Sequence, residues 1–328
     1  MLRKIVTAVL FLTAQTALRA AHYCPGDGMT VMFWNLENMF DCRDGGGGNS
    51  DAEFTPSGER RWTKRRFSAK CSGIAKTVYW VADRCGTLPD VIGIAEVENR
   101  YVVDCIVENT VLHRADYGVV HFESPDTRGI DVALLYRKSV FDMVSAKPCR
   151  IYDAAGRMIK TRDILCVCLR RKGDGKQVYF TVNHHPSKFG GAAASHGRRE
   201  AAMKRLKEVC DSLDECAGGG AEIISMGDFN DTPDNPLFGI FGDSAKNLAL
   251  GPYSRGEGTI RFAGKWDLID MFIVSASVAD EYVQEILYPP FLMTRDTVHG
   301  GEKPLRTYSG LKYTGGISDH CPVIMRKK

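Results

Sequence analysis

Met226-Gly227-Asp228-Phe229-Asn230-Asp231 closes a short apolar run, Glu222-Ile223-Ile224-Ser225, and how that run ends decides how the chain is read. The run itself reads as a strand. If the backbone stays extended through Asn230, side chains two positions apart share a face. Asp228 and Asn230 would then project together from the strand's carboxyl end, where they could hold a water or an oxygen ligand. Glycine, aspartate and asparagine are also favoured turn formers, so the hexapeptide reads equally well as an ordinary strand-to-loop turn. Other segments have to choose.

Working outward, strand-like runs recur at Thr30 to Trp34, Val91 to Ala95, Ile130 to Tyr136, Val178 to Val182, Leu268 to Val274 and Pro322 to Met325. Helical spacing of apolar residues over Lys64 to Cys85, Arg100 to Leu112 and Arg198 to Cys216 alternates with them. The class is α/β, with helices covering sheets. No internal domain boundary is visible, so residues 21–328 read as a single domain. Asp44 to Asp51, with four consecutive glycines, lacks the flanking strand and helix of a phosphate-cradling loop and reads as a flexible surface linker.

Polar side chains fall where the apolar runs stop: Asn35 after Phe33-Trp34, Glu96 after Ile94-Ala95, Asn183-His184 after Thr181-Val182, and Asp228 with Asn230. Asp270 interrupts an apolar strand, where an isolated charge is expensive without a partner. Ser318-Asp319-His320 supplies candidates for that partner. Each residue alone has a bland reading as a helix cap, a core histidine or a solvated loop acid. Together they make a set of hard oxygen donors with imidazoles nearby, which suits magnesium, manganese or calcium and a phosphate substrate.

The first twenty residues, with Arg3 and Lys4 ahead of an apolar stretch from Ile5, read as a signal peptide. The expected mature amino terminus lies near Ala21 and the expected location is the periplasm or the exterior. Losing Arg3, Lys4 and Arg19 would bring the formal charge from +3 to zero. Net charge therefore gives no support to a strongly nucleic-acid-seeking surface. No later run is long enough for stable membrane insertion. Eleven cysteines lack metal-binding spacing. Cys166 and Cys168 read as buried small hydrophobes on one strand face.

The ordered motifs Phe33-Trp34-Asn35-Leu36-Glu37-Asn38, Ile94-Ala95-Glu96-Val97-Glu98-Asn99, Asn183-His184-His185-Pro186-Ser187-Lys188, Gly227-Asp228-Phe229-Asn230-Asp231 and Ser318-Asp319-His320-Cys321-Pro322-Val323 resemble the metal-dependent endonuclease/exonuclease/phosphatase superfamily, over residues 29 to 326. Trp62-Thr63, Arg66-Phe67, Lys70 and Arg306-Thr307-Tyr308 look closest to a bacterial exported subgroup. His185 departs from the pattern, where leucine or tryptophan is expected.

The resemblance implies a DNase I-like two-sheet α/β sandwich with helices on the outer faces and the site at one end. It implies Glu96 as principal metal ligand, with Asn35 beside it and Asp319 reaching the metal. Asp228 would activate the water; Asn230, His184 and His320 would donate to phosphoryl oxygens; Asp270 would orient His320. Arg128, Asn183 and Lys188 are candidate substrate contacts. The expected activity is Mg2+-dependent phosphodiester cleavage, Mn2+ or Ca2+ being alternatives, by a monomeric nuclease acting on nucleic acid. A phosphatase or phosphodiesterase for inositol, lipid or other small phosphate esters is the alternative, and an inactive binding module the third reading.

Overall fold

The computed structural model describes residues 28–46, 48–188 and 190–328. The expected leader lies outside them. Along the chain, the first sheet takes β1 (Val31–Met39), β2 (Val91–Val97), β3 (Tyr117–His121) and β4 (Asp131–Arg137). The second takes β5 (Phe141–Cys149), β6 (Ile164–Arg171), β7 (Gln177–His184), β8 (Glu222–Asp228) and β9 (Ala245–Asn247). After the hairpin of β10 (Ile260–Phe262) and β11 (Lys265–Asp267), β12 (Asp270–Ser275) joins the second sheet and β13 (Tyr282–Ile286) the first. Two further hairpins follow, β14 (Met293–Arg295) with β15 (Glu302–Pro304) and β16 (Tyr308–Ser309) with β17 (Lys312–Tyr313). Then β18 (Val323–Lys327) inserts between β13 and β1.

The strand orders are β13-β18-β1-β2-β4-β3 and β5-β6-β7-β8-β12-β9. Each sheet holds one parallel pair, β1 with β2 and β7 with β8. A parallel pair needs a crossover. Helix α1 (Lys64–Cys85) supplies the first, α2 (Arg100–Glu108) follows β2, and α3 (Ala192–Cys216) supplies the second. Thr63 caps α1 by accepting from the Arg66 amide, and Gly86 ends it at φ 74°, a conformation glycine adopts without strain.

Both faces of β1 are buried. Met32 and Trp34 pack with Phe67, Cys71, Ile74 and Val78 of α1, whereas Val31 and Phe33 face the core shared with the second sheet. On the far side Met203, Leu206 and Val209 of α3 cover the second sheet. The layers are helix, sheet, sheet, helix, the sandwich expected from sequence. Each fully buried large side chain contributes about 1.5–3 kcal/mol, so trimming Trp34 to alanine would cost about 3–5 kcal/mol.

This topology decides where chemistry can sit. The carboxyl ends of β1, β2, β7 and β8 form one rim, the usual ligand position in sheets with parallel strands. Antiparallel β12 sets Asp270 opposite Asp228 at that rim. The chain enters β18 from the same end, which brings His320 there.

Two expectations change. The glycine-rich stretch is not a free linker: the Asn49 amide donates to the Thr127 carbonyl at 2.8 Å, and Gly45 donates to the Asp51 carboxylate at 2.7 Å. Helix α3 begins at Ala192 rather than Arg198. Among the described residues the ten cysteines are free thiols, Cys166 and Cys168 buried as read from sequence, and no helix is long and apolar enough to cross a membrane.

Candidate active site

Strand β8 ends at Asp228, and Asn230 adopts φ 53°, off the extended path. The Asp228 Oδ1 accepts from the Asn230 amide at 2.9 Å, a local turn. The two side chains therefore do not share a strand face; the turn aims the Asn230 side-chain Nδ2 at the His185 carbonyl, to which it donates at 2.9 Å. Gly227 is needed because a Cβ there would sit 2.4 Å from the Asn183 carbonyl oxygen on β7.

Asp228 Oδ2 is the meeting point of the rim. Asn35 Nδ2 donates to it at 3.0 Å, His184 Nε2 lies at 3.7 Å and His320 Nε2 at 3.9 Å. Burial, with the Asp270 charge behind it, pushes the Asp228 carboxyl up to about 7. That is the range in which a carboxylate takes protons usefully at neutral pH.

The first sheet contributes Glu96, held at φ 63°. Its Oε2 accepts from the Asn38 amide at 2.7 Å and from Arg128 Nη2 at 3.2 Å, and its Oε1 lies 3.8 Å from His184 Nε2. Burial favours the neutral acid, but the Arg128 charge and the Asn38 amide overcome it and hold the carboxyl well below the usual range. A buried permanent carboxylate on a rim that also carries the oxygen-bearing Asn35 and Asp228, with Asp319 at its edge, offers hard donors of the kind a divalent cation takes. The Arg128 guanidinium now supplies the positive charge that such a carboxylate requires.

The two imidazoles differ. His320 Nδ1 meets Asp270 Oδ2 at 2.8 Å, its amide donates to Ser318 Oγ at 3.0 Å, and its carbonyl accepts from Trp34 Nε1 at 2.8 Å. Burial works against its charged form, yet Asp270, Asp228 and Asp319 raise it well above the ordinary histidine value. In His184 burial and then Arg162 drive the ring well below that value, so it is neutral. Its Nδ1 is buried without a hydrogen-bond partner, whereas Nε2 faces carboxylates. The tautomer with the proton on Nε2 is the one this surrounding stabilises. Asp228, Asp270 and His320 also lie close enough to hold an ion between them; the short His320–Asp270 bond favours reading them as a proton-handling unit instead.

Of the other residues singled out from sequence, Arg128 reaches the rim and Asp319 lies at its edge. Asp319 Oδ2 accepts from Arg306 Nη2 at 2.7 Å, and its Oδ1 lies 4.0 Å from His320 Nε2. Asn183 does not reach the rim: it is fully buried, its amide bonded to Thr181 Oγ1 and the Met226 carbonyl, both at 3.1 Å. Its neighbour His184 takes the rim-facing direction, and alternate strand residues point opposite ways. Lys188 is half-exposed and paired with Asp231 at 3.2 Å. Arg199 is buried on the same Asp231 at 2.6 Å and is not a surface contact.

Sequence reasoning missed Arg162. Buried beneath the rim, it donates to the His184 carbonyl at 3.1 Å, the His185 carbonyl at 2.7 Å and Asp126 Oδ2 at 3.0 Å. Asp126 Oδ1 in turn accepts from the Arg128 amide at 2.9 Å. One guanidinium thus ties the Arg128 loop to the His184 backbone. A lone arginine in Thr161-Arg162-Asp163 carries no signal of this. Lys70, buried in α1, likewise braces the site by donating to the Glu37 carbonyl and to Thr307 Oγ1.

The shape of the chain is similar to several solved structures. The catalytic domain of human Nocturnin with bound sulfate is 16% identical, with 92% of this chain and 93% of that one covered and a TM-score of 0.57. The mannosyl-6-phosphatase of Bacteroides thetaiotaomicron is 17% identical, covered 92% and 99%, TM-score 0.58. D. rerio TDP2 complexed with single-strand DNA product is 14% identical, covered 92% and 99%, TM-score 0.55. At these identities the likeness is one of fold. No protein of curated function matches the sequence itself. The model of the endonuclease/exonuclease/phosphatase family matches residues 30–328, nearly the whole described chain, and the protein belongs to that family.

Proposed function

We propose that the protein is an exported, monomeric, divalent-metal-dependent hydrolase of phosphate esters, working with magnesium. The observation that carries the reading is the convergence on Asp228 Oδ2 of an amide, a neutral imidazole and a charged imidazole, with the ionised Glu96 alongside. Glu96, with Asn35 and Asp319 at its flanks, would hold the cation, which when bound neutralises charge on the phosphoryl group. Asp228 orients a water in line with the ester bond and takes its proton. As the water oxygen bonds to phosphorus, the ester P–O bond breaks and the leaving alkoxide takes up a proton from solvent to depart as the alcohol, the proton on Asp228 being released afterwards.

Negative charge spreads over the phosphoryl oxygens in that transition state, and preorganised donors stabilise it. His184 Nε2, His320 Nε2 and the second amide hydrogen of Asn230 are those donors. Arg128 exchanges part of its hold on Glu96 for the phosphate. Asp270 keeps His320 charged and turned. The family's solved relatives span a phosphatase and a DNA-product complex, so both ester classes are candidate substrates.

The test is a panel assay of the purified protein with Mg2+ or Mn2+ against plasmid DNA, RNA, bis-nitrophenyl phosphate and phosphomonoesters, with and without EDTA. Metal-dependent release of phosphate or nicking of DNA is expected. Inertness toward every ester, or equal turnover in excess chelator, would overturn the reading. Amino-terminal sequencing of extracytoplasmic protein tests export, an intact Met1 counting against it.

A further inference from the structure

The bond between Asp270 and His320 joins the two sheets. Asp270 opens β12 in the second, and His320 lies in the segment leading into β18 of the first. Its 2.8 Å length therefore depends on how the β12 backbone is held against the other sheet.

Along one edge β12 is laddered to β8 from Asp270 to Val274. Its other edge is covered only in part: β9 pairs with Ile273 to Ser275, and the Leu248 amide adds one bond to the Phe272 carbonyl at 2.9 Å. The Phe272 amide and the Asp270 carbonyl lie past the end of that cover, toward the rim. Buried main-chain groups need partners. Gln284 supplies both from the opposite sheet: its Oε1 accepts from the Phe272 amide at 2.9 Å and its Nε2 donates to the Asp270 carbonyl at 3.1 Å. One side-chain amide, with acceptor and donor side by side, takes the place of a neighbouring strand.

Gln284 sits on β13 between Tyr282 and Ile286, which face the shared core. Packing alone would ask for an apolar residue there, since a buried amide is costly unless it is bonded. Strand β13 in turn pairs with β18, Gln284 opposite Met325 and Ile286 opposite Val323, and the Leu287 amide donates to the Pro322 carbonyl at 2.9 Å, two residues from His320. Gln284 thus ties the Asp270 backbone to the strands that deliver the imidazole. Thr259 closes the frame from the other side, its Oγ1 accepting the Asp270 amide at 3.4 Å and its carbonyl the Cys321 amide at 2.7 Å.

We infer that Gln284 is a positioning residue for the hydrolysis: it holds β12 against β13 and so keeps the Asp270 carboxylate on His320 Nδ1. It touches no substrate. The catalytic consequence rests on the phosphoester-hydrolase reading, whereas the placement of Asp270 rests on the cross-sheet bonds alone.

The test pairs kinetics with a proton NMR signature. Gln284→Met keeps length and bulk and removes both bonds. With the panel ester that the wild type hydrolyses fastest, under saturating Mg2+, kcat should fall roughly ten- to hundredfold with KM little changed, the scale of an ångström-sized misplacement. In an Asp270→Asn background the same substitution should cost no more than about twofold, since groups that act through one another are non-additive. The low-field resonance of the His320 Nδ1 proton, identified by its loss in His320→Ala, should shift or broaden away in Gln284→Met while circular dichroism stays that of the wild type. Should methionine impair folding, Gln284→Asn, an amide too short to span both groups, is read in the same way and should show smaller versions of both effects. Equal losses in the two backgrounds, or a His320 resonance absent from the wild type or unchanged in the variant, overturn the inference and leave the hydrolase reading standing. Inertness of the wild type toward every ester overturns the hydrolase reading instead, and the resonance then decides by itself whether Gln284 holds Asp270 on His320.

Discussion

Where β1 and β2 end, the rim presents oxygens and one guanidinium: Asn35, the ionised Glu96, and Arg128 lying across it. Where β7, β8 and β12 meet, joined by His320 from the segment leading into β18 of the first sheet, it presents two imidazoles and two carboxylates, with Asp228 raised to about 7 and His320 held charged by Asp270. Both regions come from the same construction, a parallel pair with its crossover helix, yet their electrostatics are opposite. The first fixes one carboxylate permanently negative; the second tunes groups so that protons can move. On the proposed mechanism the Glu96 side of the rim holds charge and the Asp228 side handles protons. Substitutions in the two halves should therefore fail in different ways.

The largest effect expected is in the first half. Excess EDTA should abolish turnover, and added Mg2+ should restore it. Glu96→Gln keeps shape and loses charge, so its defect should shrink as Mg2+ is raised, read as activity against metal concentration. A Glu96→Gln defect indifferent to metal would dissolve the division between the halves.

In the second half, His320→Ala and Asp270→Asn should each lower the chemical rate by roughly ten- to ten-thousand-fold, the range for positioned acid and base groups. The 2.8 Å bond between them makes them one unit. The double variant should lose little more than the worse single one, since groups acting together are strongly non-additive. Raised Mg2+ should rescue none of them. Multiplicative losses in folded variants, checked by circular dichroism, would mean that the two residues work separately.

Between the halves stands Arg162, which joins the Arg128 loop to the His184 carbonyl through Asp126. It touches no substrate in the proposed mechanism and acts as a positioning residue. Arg162→Lys keeps a charge for Asp126 but gathers its donors on one nitrogen and cannot span the three acceptors that Nε, Nη1 and Nη2 reach, so kcat should fall roughly ten- to hundredfold, on the scale of an ångström-sized misplacement. The Mg2+ requirement should hold. A changed metal dependence with normal kcat would assign Arg162 to the first half alone.

These regions were unequally legible in sequence. Strands β1, β2 and β8 are announced by apolar runs because both their faces are buried, and Asp270 betrays itself as a charge inside an apolar stretch, although β12 begins at Asp270 rather than at Leu268. Edge strand β5 went unseen since most of its residues between Phe141 and Cys149 are exposed and carry no apolar pattern. The start of α3, Ala192 to Ser195, offers small residues without periodicity. Asn183 and His184 are consecutive strand residues and point opposite ways, so only one of them can face the rim, and a sequence motif does not say which. An extended chain puts Asn230 at the rim for the wrong reason, since the turn at Asp228 is what brings it there. Arg162 lies outside any local pattern, for its three acceptors come from positions 126, 184 and 185.

The smallest effect concerns His185, next to His184 but facing the other way, into the core. Its ring packs edge-on to Phe229 at 4.9 Å, and neither ring nitrogen has a hydrogen-bond partner. Burial first, then Arg162 and Arg199, lower its value to about 3. The folded state therefore keeps the ring neutral well below the pH at which the unfolded chain, titrating near 6.5, takes up a proton. Between those values the unfolded state binds more protons, so stability rises with pH in that window and is lost as pH falls from about 6.5 toward 3. His185→Leu removes two unsatisfied polar atoms and keeps similar bulk. It should raise stability at neutral pH by about 1–3 kcal/mol and flatten the acid limb of a plot of denaturation free energy against pH. Backbone contacts to Arg162 and Asn230 run through the His185 carbonyl and survive the substitution. An unaltered acid limb would show that His185 is not what titrates there. A destabilised leucine variant would show that the imidazole holds a bond that the packing around Phe229 hides.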